Sequence, residues 1–250
     1  MSLRFQSLVR RSRHARSRPS GFTLLELLTV IAIIGILIAI LIPVVANVRR
    51  SAANTTCLNK LRVLYQGIAI FTADRGSIPR ANGDTYSTDP LLQAGRSWRA
   101  ALIGGGTLAE AKGTSSNTND WASENFDVFT CHAHMDYYQD QFNYPPGKLV
   151  STYTMSNIAT SYHFPKFSFF NRPDRTMLIA DGAVPDSKGQ FTAASQGAKP
   201  DVNAHNGHAN IGFADGHVES RTADQIPDDP GSTLKPGVND AAFYFWRARP

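Results

Sequence analysis

The sequence lacks the short motifs by which many enzymes are detected. Residues 49–250 contain no G-x-S-x-G, no H-E-x-x-H and no glycine-rich phosphate loop. Such motifs place a nucleophile, a metal-bound water or a phosphate group at fixed spacing. Because none is present, enzymatic activity has no positive support, and we predict a protein that is not an enzyme.

Acidic residues are missing from the first 21 positions, which instead contain six arginines: Arg4, Arg10, Arg11, Arg13, Arg16 and Arg18. The whole chain of 250 residues has a formal net charge of +5, and these arginines contribute +6, so the remainder carries −1. Nucleic-acid binding requires a basic surface on the folded domain. We therefore expect no nucleic-acid binding.

Charge is also scarce in residues 21–48, GFTLLELLTVIAIIGILIAILIPVVANV, where Glu26 is the only charged residue. An apolar run longer than about 18 residues can span a bilayer as a helix, because a helix satisfies its backbone hydrogen bonds internally. Arginines before such a run place the N-terminus in the cytoplasm. We predict a basic cytoplasmic leader (residues 1–21), a transmembrane segment (residues 22–48) and a periplasmic head (residues 49–250).

The position of the small residues argues against an ordinary secretory signal. The apolar core of such a signal would be about 7–15 residues long and would be followed by a cleavage site of small residues. The residues from Pro43 to Asn47, which follow the apolar run here, make a poor cleavage site. Gly21 precedes the run instead, and cleavage there would leave the apolar segment attached to the head. The alternative is a plain signal anchor in which Glu26 reaches the cytoplasmic headgroups.

Residues 21–26, Gly-Phe-Thr-Leu-Leu-Glu, resemble the prepilin signal of type IV pilins and type II secretion pseudopilins. Gly35 and Pro43 also match the helix of that family. The resemblance implies that a membrane peptidase cuts between Gly21 and Phe22 and methylates Phe22, which becomes the new N-terminus.

The same resemblance implies a role for Glu26, which would pair with the terminal amine of a neighbouring subunit during fibre assembly. The residues agree with this role, since a buried carboxylate needs a cation and the apolar segment contains no Lys or Arg. The implied partners are the prepilin peptidase/methyltransferase, other pilin or pseudopilin subunits and the inner membrane. The implied final location is a fibre at the cell surface.

The head is predicted to have an α+β fold in which a long N-terminal helix packs against a mostly antiparallel β-sheet. Apolar residues recur at spacings of three and four through residues 58–71, which is the helical period, so one helix is expected from residue 22 to about 73. A short helix is predicted within residues 90–103. Strands are predicted at residues 149–156, 176–180, 209–214 and 217–221, and residues 241–246 suggest a final strand or a packed tail.

Asp215-Gly216 separates the last two predicted strands, and we expect it to form a two-residue type I′ hairpin turn. His205, nine further residues and Asp215-Gly216 also resemble the H-x9-D-G signature of a prepilin-type processing-associated domain. This resemblance implies a pilin-like fold and no catalytic activity.

Cys57 and Cys131 are the only cysteines. In an oxidising periplasm an even pair favours a disulfide, and some relatives pair a cysteine after the membrane helix with a later one. The alternative is metal binding by Cys131 with His132 and His134, although their spacing is unlike that of zinc sites.

A second possible metal site consists of His205, His208, Asp215 and His217, with Asp181 nearby if the two Asp-Gly turns adjoin. Such an imidazole-rich set would suit zinc or nickel. Its competing interpretation is structural, with Asp215 forming the turn and His205 bonding to the backbone. We therefore expect no cofactor, with a metal ion as the open alternative. Two functions follow: a pseudopilin or minor pilin that is a structural subunit of a type II secretion or type IV pilus-like fibre, or a membrane-anchored metal-binding or ligand-binding module.

Overall fold

The computed structural model describes residues 21–81, 90, 98–108, 127–142, 151–156, 166–182, 199–228 and 240–246. The chain divides into two compact units, with the boundary between Asn47 and Val48.

The first element is α1 (Leu24–Arg75), a helix of 52 residues. The predicted helix is therefore present, and it begins two residues later and ends two residues later than expected. Gly76 ends it by adopting a positive φ of 73°, and the Gly76 N–H donates to the carbonyl of Thr72 at 2.8 Å. This is the left-handed glycine that commonly follows a helix.

The part of α1 within the second unit buries one stripe of side chains. Cys57, Leu61, Leu64, Ile68 and Phe71 are all buried, at spacings of three or four residues. Because side chains at these spacings share one face of a helix, a single stripe packs against the head while the opposite face stays exposed.

Four strands form one antiparallel sheet in the order β1 (Tyr153–Met155), β2 (Met177–Asp181), β3 (His208–Phe213) and β4 (Val218–Thr222). Each predicted strand is present, with β1 only three residues long. Tyr153 lies opposite Asp181 across β1 and β2, and His208 lies opposite Thr222 across β3 and β4. The long helix and this sheet confirm the predicted α+β fold.

The hairpin between β3 and β4 has a different turn from the predicted one. The Gly216 N–H donates to the Phe213 carbonyl at 3.0 Å, and the Phe213 N–H donates to the His217 carbonyl at 2.9 Å. Gly216 has a φ of 97°, whereas Asp215 does not have the positive φ that a type I′ turn needs. The loop is thus the three-residue kind that ends in a glycine bulge, and the prediction of a two-residue turn was wrong.

The described chain contains three further α-helices: α2 (Trp98–Gly104), α3 (His132–Phe142) and α4 (Asp240–Trp246). The short helix predicted within residues 90–103 corresponds to α2, although residues 91–97 lie outside the described part. α3 was not predicted. The strand alternative for residues 241–246 was wrong, because α4 packs as a helix that buries Phe243, Phe245 and Trp246.

The described residues of the head form two apolar core clusters. One joins the buried stripe of α1 to α2, Tyr153, Met155 and Leu178. The other joins Met177, Ile211 and Phe213 to the aromatic side chains of α4. Successive strand residues point to opposite faces, so the central strands contribute to both clusters. Polar side chains that are buried beside these clusters are shielded from water, so they need hydrogen-bond partners within the protein.

Candidate functional site

The N-terminal segment begins with a helix cap that involves Glu26. A Glu26 carboxylate oxygen accepts the Thr23 N–H at 2.8 Å and the Thr23 hydroxyl at 2.9 Å. In return, the Glu26 N–H donates to the Thr23 hydroxyl oxygen at 3.2 Å. This reciprocal pair is a capping box. The only carboxylate of the apolar segment is thus bonded within its own chain at the first turn of α1.

No part of the chain that the structure describes covers the apolar side chains of this segment. Every residue from 21 to 50 is exposed, and α1 contains a stretch long and apolar enough to cross a membrane. Contiguous apolar surface of this extent indicates contact with lipid or with other protein. A helix of this composition fits a membrane anchor.

Gly21 and Phe22 lie before the first residue of α1. Among the described residues, no atom outside the adjoining residues lies within 4 Å of a Cβ built at Gly21, and the Phe22 side chain is 82% exposed. Within the described part of the chain, the peptide bond between them therefore has neither helical hydrogen bonds nor packed neighbours.

A second group of polar side chains lies buried inside the head. Cys57 on α1 and Cys131, directly before α3, form a disulfide with an S–S distance of 2.15 Å. His205 Nε2 lies 3.2 Å from the Cys131 sulfur and 3.1 Å from Asp181 Oδ2. Cys57, Cys131 and Asp181 are 0–2% exposed and His205 is 8% exposed. We call these four residues the buried cluster.

Asn210 on β3 holds the carboxylate of the buried cluster in place. Its backbone N–H donates to Asp181 Oδ1 and its side-chain amide donates to Asp181 Oδ2, both at 2.7 Å. The same amide nitrogen lies 2.7 Å from Asn54 Oδ1 on α1. A buried carboxylate without such donors would be costly, so Asn210 connects the sheet, the helix and the cluster.

The disulfide has its own hydrogen-bonded surroundings. The Tyr153 hydroxyl donates to the Cys57 carbonyl at 3.2 Å, and the Cys131 N–H donates to the Thr152 hydroxyl oxygen at 2.6 Å. Burial raises the pKa of Tyr153 well above its usual value. The phenol therefore stays neutral and remains a donor.

His134 on α3 packs edge-on against His205, with ring centroids 5.0 Å apart. Its Nε2 lies 3.3 Å from the Asp201 carbonyl, and among the described residues its Nδ1 has no hydrogen-bond partner. Burial lowers the pKa of His134, so its ring is held in the neutral form.

The structure does not bring His205, His208, Asp215 and His217 to one place. His205 belongs to the buried cluster, whereas His208 opens β3 and contacts the Asn206 carbonyl at 3.3 Å. Asp215 pairs with His217 at 2.6 Å across the turn at the other end of β3. In the described part of the chain, the one group whose potential metal-ligand atoms all lie within 4.8 Å is the buried cluster. The predicted four-residue metal site is therefore corrected.

The alternative set of Cys131, His132 and His134 is also divided. Cys131 is bonded to Cys57, and His132 is exposed and lies 2.7 Å from Asp127 Oδ1. His134 points toward the Asp201 carbonyl instead. The three side chains have three different sets of partners, so they do not form one site.

The residues that resemble the H-x9-D-G signature lie at the two ends of β3. His205 lies in a short 3-10 helix before the strand, and Asp215-Gly216 lies in the turn after it. Because β2 runs antiparallel to β3, Asp181 at the end of β2 reaches His205 and not Asp215. The two Asp-Gly pairs, Asp181-Gly182 and Asp215-Gly216, therefore do not adjoin. Asp181 of the first pair is nevertheless the partner of His205.

Sequence reasoning missed Asn210 and Asn54. The available signal was a polar residue, Asn210, in the middle of an otherwise apolar strand, because buried strand positions rarely hold an amide without a partner. Nothing comparable marked Asn54, which lies on α1 among other polar residues.

An exposed apolar helix with a capping box at its first turn, together with an α+β head, fits the class of pilin-like proteins that are anchored in a membrane. Residues 16–42 match the family described as the prokaryotic N-terminal methylation motif. The chain is similar to fimbrial protein Q of Moraxella bovis, with 34% identity over 105 residues that cover 39% of this chain and 67% of that protein. No solved structure matches the chain significantly. The chain belongs to the type IV pilin-like proteins.

Proposed function

We propose that the protein is a structural subunit, a pseudopilin or minor pilin, of a type II secretion or type IV pilus-like fibre. The observation that carries the proposal is the exposed apolar half of α1, which begins at Leu24, two residues after Phe22. A surface of this kind is covered by lipid before assembly and by neighbouring helices within a fibre. The match of residues 16–42 to a methylation motif supports the same use.

In this proposal the prepilin peptidase cuts after Gly21 and methylates Phe22. The leader of residues 1–21 remains cytoplasmic, the helix of residues 22–48 crosses the inner membrane, and the head of residues 49–250 lies in the periplasm. The partners are the peptidase/methyltransferase and other pilin or pseudopilin subunits. The protein acts through assembly and not as an enzyme.

Glu26 has a defined task in this assembly. In the uncut chain its carboxylate is bonded to the Thr23 N–H and hydroxyl, and the apolar segment itself contains no Lys or Arg that could pair with it. Cleavage creates an α-amino group at Phe22, and the amine of a neighbouring subunit then offsets the charge of Glu26. A buried ion pair is strongly destabilised when one partner is missing, so the pair sets the register of the subunits.

The first test is mass spectrometry of the N-terminal peptide of the protein isolated from its own cells. We expect a terminus at N-methylated Phe22. A terminus at Met1, or one beyond Ala46, would contradict processing at Gly21.

The second test separates the charge of Glu26 from its capping role. Glu26→Gln retains an acceptor for the capping box but cannot pair with an amine as an anion, so we expect it to abolish fibre incorporation as Glu26→Ala does. Glu26→Asp keeps the charge with a shorter reach and should retain part of the assembly. Wild-type levels of fibre incorporation by Glu26→Gln, measured by immunoblot of sheared fibres, would contradict the charge-pairing mechanism.

A further inference from the structure

We propose that the buried cluster is a closed metal site when its two cysteines are reduced. In that state Cys57, Cys131, Asp181 and His205 would bind one divalent transition metal of the zinc class. Cys57 and Cys131 would therefore either form the disulfide or bind the metal, and the two states would exclude each other. This inference does not depend on fibre assembly.

Two of the distances between potential ligand atoms in the buried cluster are close to those of a tetrahedral site. All four potential ligand atoms lie within 4.8 Å of one another. In a tetrahedral zinc site with usual bond lengths, a nitrogen and an oxygen ligand lie about 3.4 Å apart and a nitrogen and a sulfur ligand about 3.6 Å apart. His205 Nε2 lies 3.1 Å from Asp181 Oδ2 and 3.2 Å from the Cys131 sulfur. These two distances would change only slightly if a metal ion were bound between the atoms.

On metal binding, the distance between the two sulfur atoms would change most. The sulfurs must move from bonding distance to about 3.8 Å apart, which is the separation of two thiolates on one zinc ion. The Cα atoms of Cys57 and Cys131 are 5.4 Å apart, and side-chain rotation can open the sulfurs while the helix and the neighbouring chain stay in place.

The ligand chemistry favours zinc over calcium or magnesium. Two thiolates and an imidazole are soft or intermediate ligands, whereas calcium and magnesium take oxygen ligands. Asp181 supplies the one oxygen, and its orientation is fixed by the two Asn210 donors. Hydrogen bonds of this outer kind typically orient metal ligands.

Burial indicates a structural metal site and not a catalytic one. The four residues are 0–8% exposed, and together they fill four coordination positions, which is the pattern of closed zinc sites. Such a metal would connect α1, the segment before α3, β2 and the segment before β3, which are the same elements that the disulfide and its hydrogen bonds connect.

The conversion of the disulfide state into the metal-bound state takes two steps, reduction and metal binding. A dithiol reductant gives two electrons and two protons to the Cys57–Cys131 bond, which breaks into two thiols while the dithiol forms its own disulfide. The metal then displaces the two thiol protons and binds the thiolates. An oxidant of the disulfide class reverses the first step and releases the metal.

The experiment uses the full chain in detergent micelles. The protein is unfolded in denaturant with excess dithiol and refolded without oxygen in the presence of zinc or cobalt, and free metal is removed by gel filtration. We expect one equivalent of metal in the reduced chain and none in the oxidised chain. The cobalt form should show a thiolate-to-cobalt charge-transfer band and the strong visible bands of a tetrahedral site.

Matched variants identify the ligands. His205→Gln and Asp181→Asn should each weaken metal binding by more than the roughly 10–100-fold that loss of an outer hydrogen bond costs. His208→Gln and Asp215→Asn are the controls, because neither residue belongs to the buried cluster, and both should bind metal as the wild type does.

A measurement on the wild-type protein guards against variants that fail to fold. X-ray absorption of the zinc form should show two sulfur and two nitrogen or oxygen ligands. Less than one equivalent of metal in the reduced wild-type chain, a different number of sulfur ligands, or equal losses in the cluster variants and the controls would each overturn the proposal.

Discussion

Gly216 shows how a single residue can determine how closely a turn approaches a helix. Its φ of 97° lies in a region that side chains resist, and a Cβ at this position would lie 2.6 Å from Tyr65 Cε1 on α1. The Tyr65 ring is held by a hydrogen bond from its hydroxyl to the Ala214 carbonyl at 3.1 Å. The glycine therefore allows the hairpin turn to approach the helix closely.

Gly216→Ala should lower the free energy of unfolding by more than Gly207→Ala does. Gly207 also has a positive φ, 87°, but apart from its two chain neighbours no described residue has an atom within 4 Å of a Cβ built there. Both variants incur the left-handed penalty of about 1–2 kcal/mol, and only Gly216→Ala adds the overlap with Tyr65, which we expect to contribute about 1–3 kcal/mol more.

Urea unfolding of the oxidised full chain in detergent, followed by tryptophan fluorescence, measures this difference. Equal losses in the two variants would mean that the turn does not need to approach Tyr65 closely.

Some residue-scale roles were visible in the sequence and others were not. Glu26 was identified because it is the one charge in an apolar run, which is a local pattern. Its bond to Thr23 also follows from local spacing, since a Thr and a Glu three residues apart form a capping box. His205 was identified from its spacing to Asp215, but its actual partner is Asp181, which only the pairing of β2 with β3 brings near.

At the scale of elements, α1 has one buried stripe and one exposed face within the head. Leu64→Ala should lower the free energy of unfolding by about 2–5 kcal/mol, because it removes a fully buried side chain and leaves a cavity. Val63→Ala is the control on the exposed face, where the side chain is 43% exposed, and it should change stability by no more than about 0.5 kcal/mol.

The same urea titration compares these two helix variants. Alanine is the better helix former in both cases, and it gains a few tenths of a kcal/mol more over β-branched Val63 than over Leu64, which is small beside the expected cavity cost at Leu64. A loss from Val63→Ala as large as that from Leu64→Ala would contradict the assignment of the buried stripe.

The elements that the sequence predicted best have strong periodic patterns. The helical spacing of residues 58–71 and the alternation around Asp215-Gly216 are both local, and α1, β3 and β4 appear where these patterns lie. The strand alternative for residues 241–246 was wrong because a short run of aromatic residues fits a strand and a buried helix equally well. The packing of Phe243, Phe245 and Trp246 in the second apolar cluster favours the helix.

At the scale of the whole molecule, the Cys57–Cys131 disulfide joins residues separated by 74 positions in the sequence. Closing a loop of this length restricts the unfolded chain and stabilises the fold by roughly 4 kcal/mol. The double variant Cys57→Ala/Cys131→Ala should therefore unfold at a markedly lower urea concentration than the oxidised protein.

Reduction of the wild-type chain in the presence of a metal chelator is the matched control, because it opens the same loop without changing the sequence. We expect a similar loss of stability from reduction and from the double variant. A loss below about 1 kcal/mol in both would show that the hydrogen bonds and the core hold the head without the covalent bond.

The sequence by itself determined the apolar segment, its single carboxylate, the amphipathic second half of α1 and the positions of the strands. These features depend on composition and on short periods, which one stretch of chain contains completely. The tertiary structure alone decided that residues 57, 131, 181 and 205 form one buried cluster while His208, Asp215 and His217 lie outside it. The physical reason is that strand pairing and helix packing join residues far apart in sequence, and no local pattern records which of them meet.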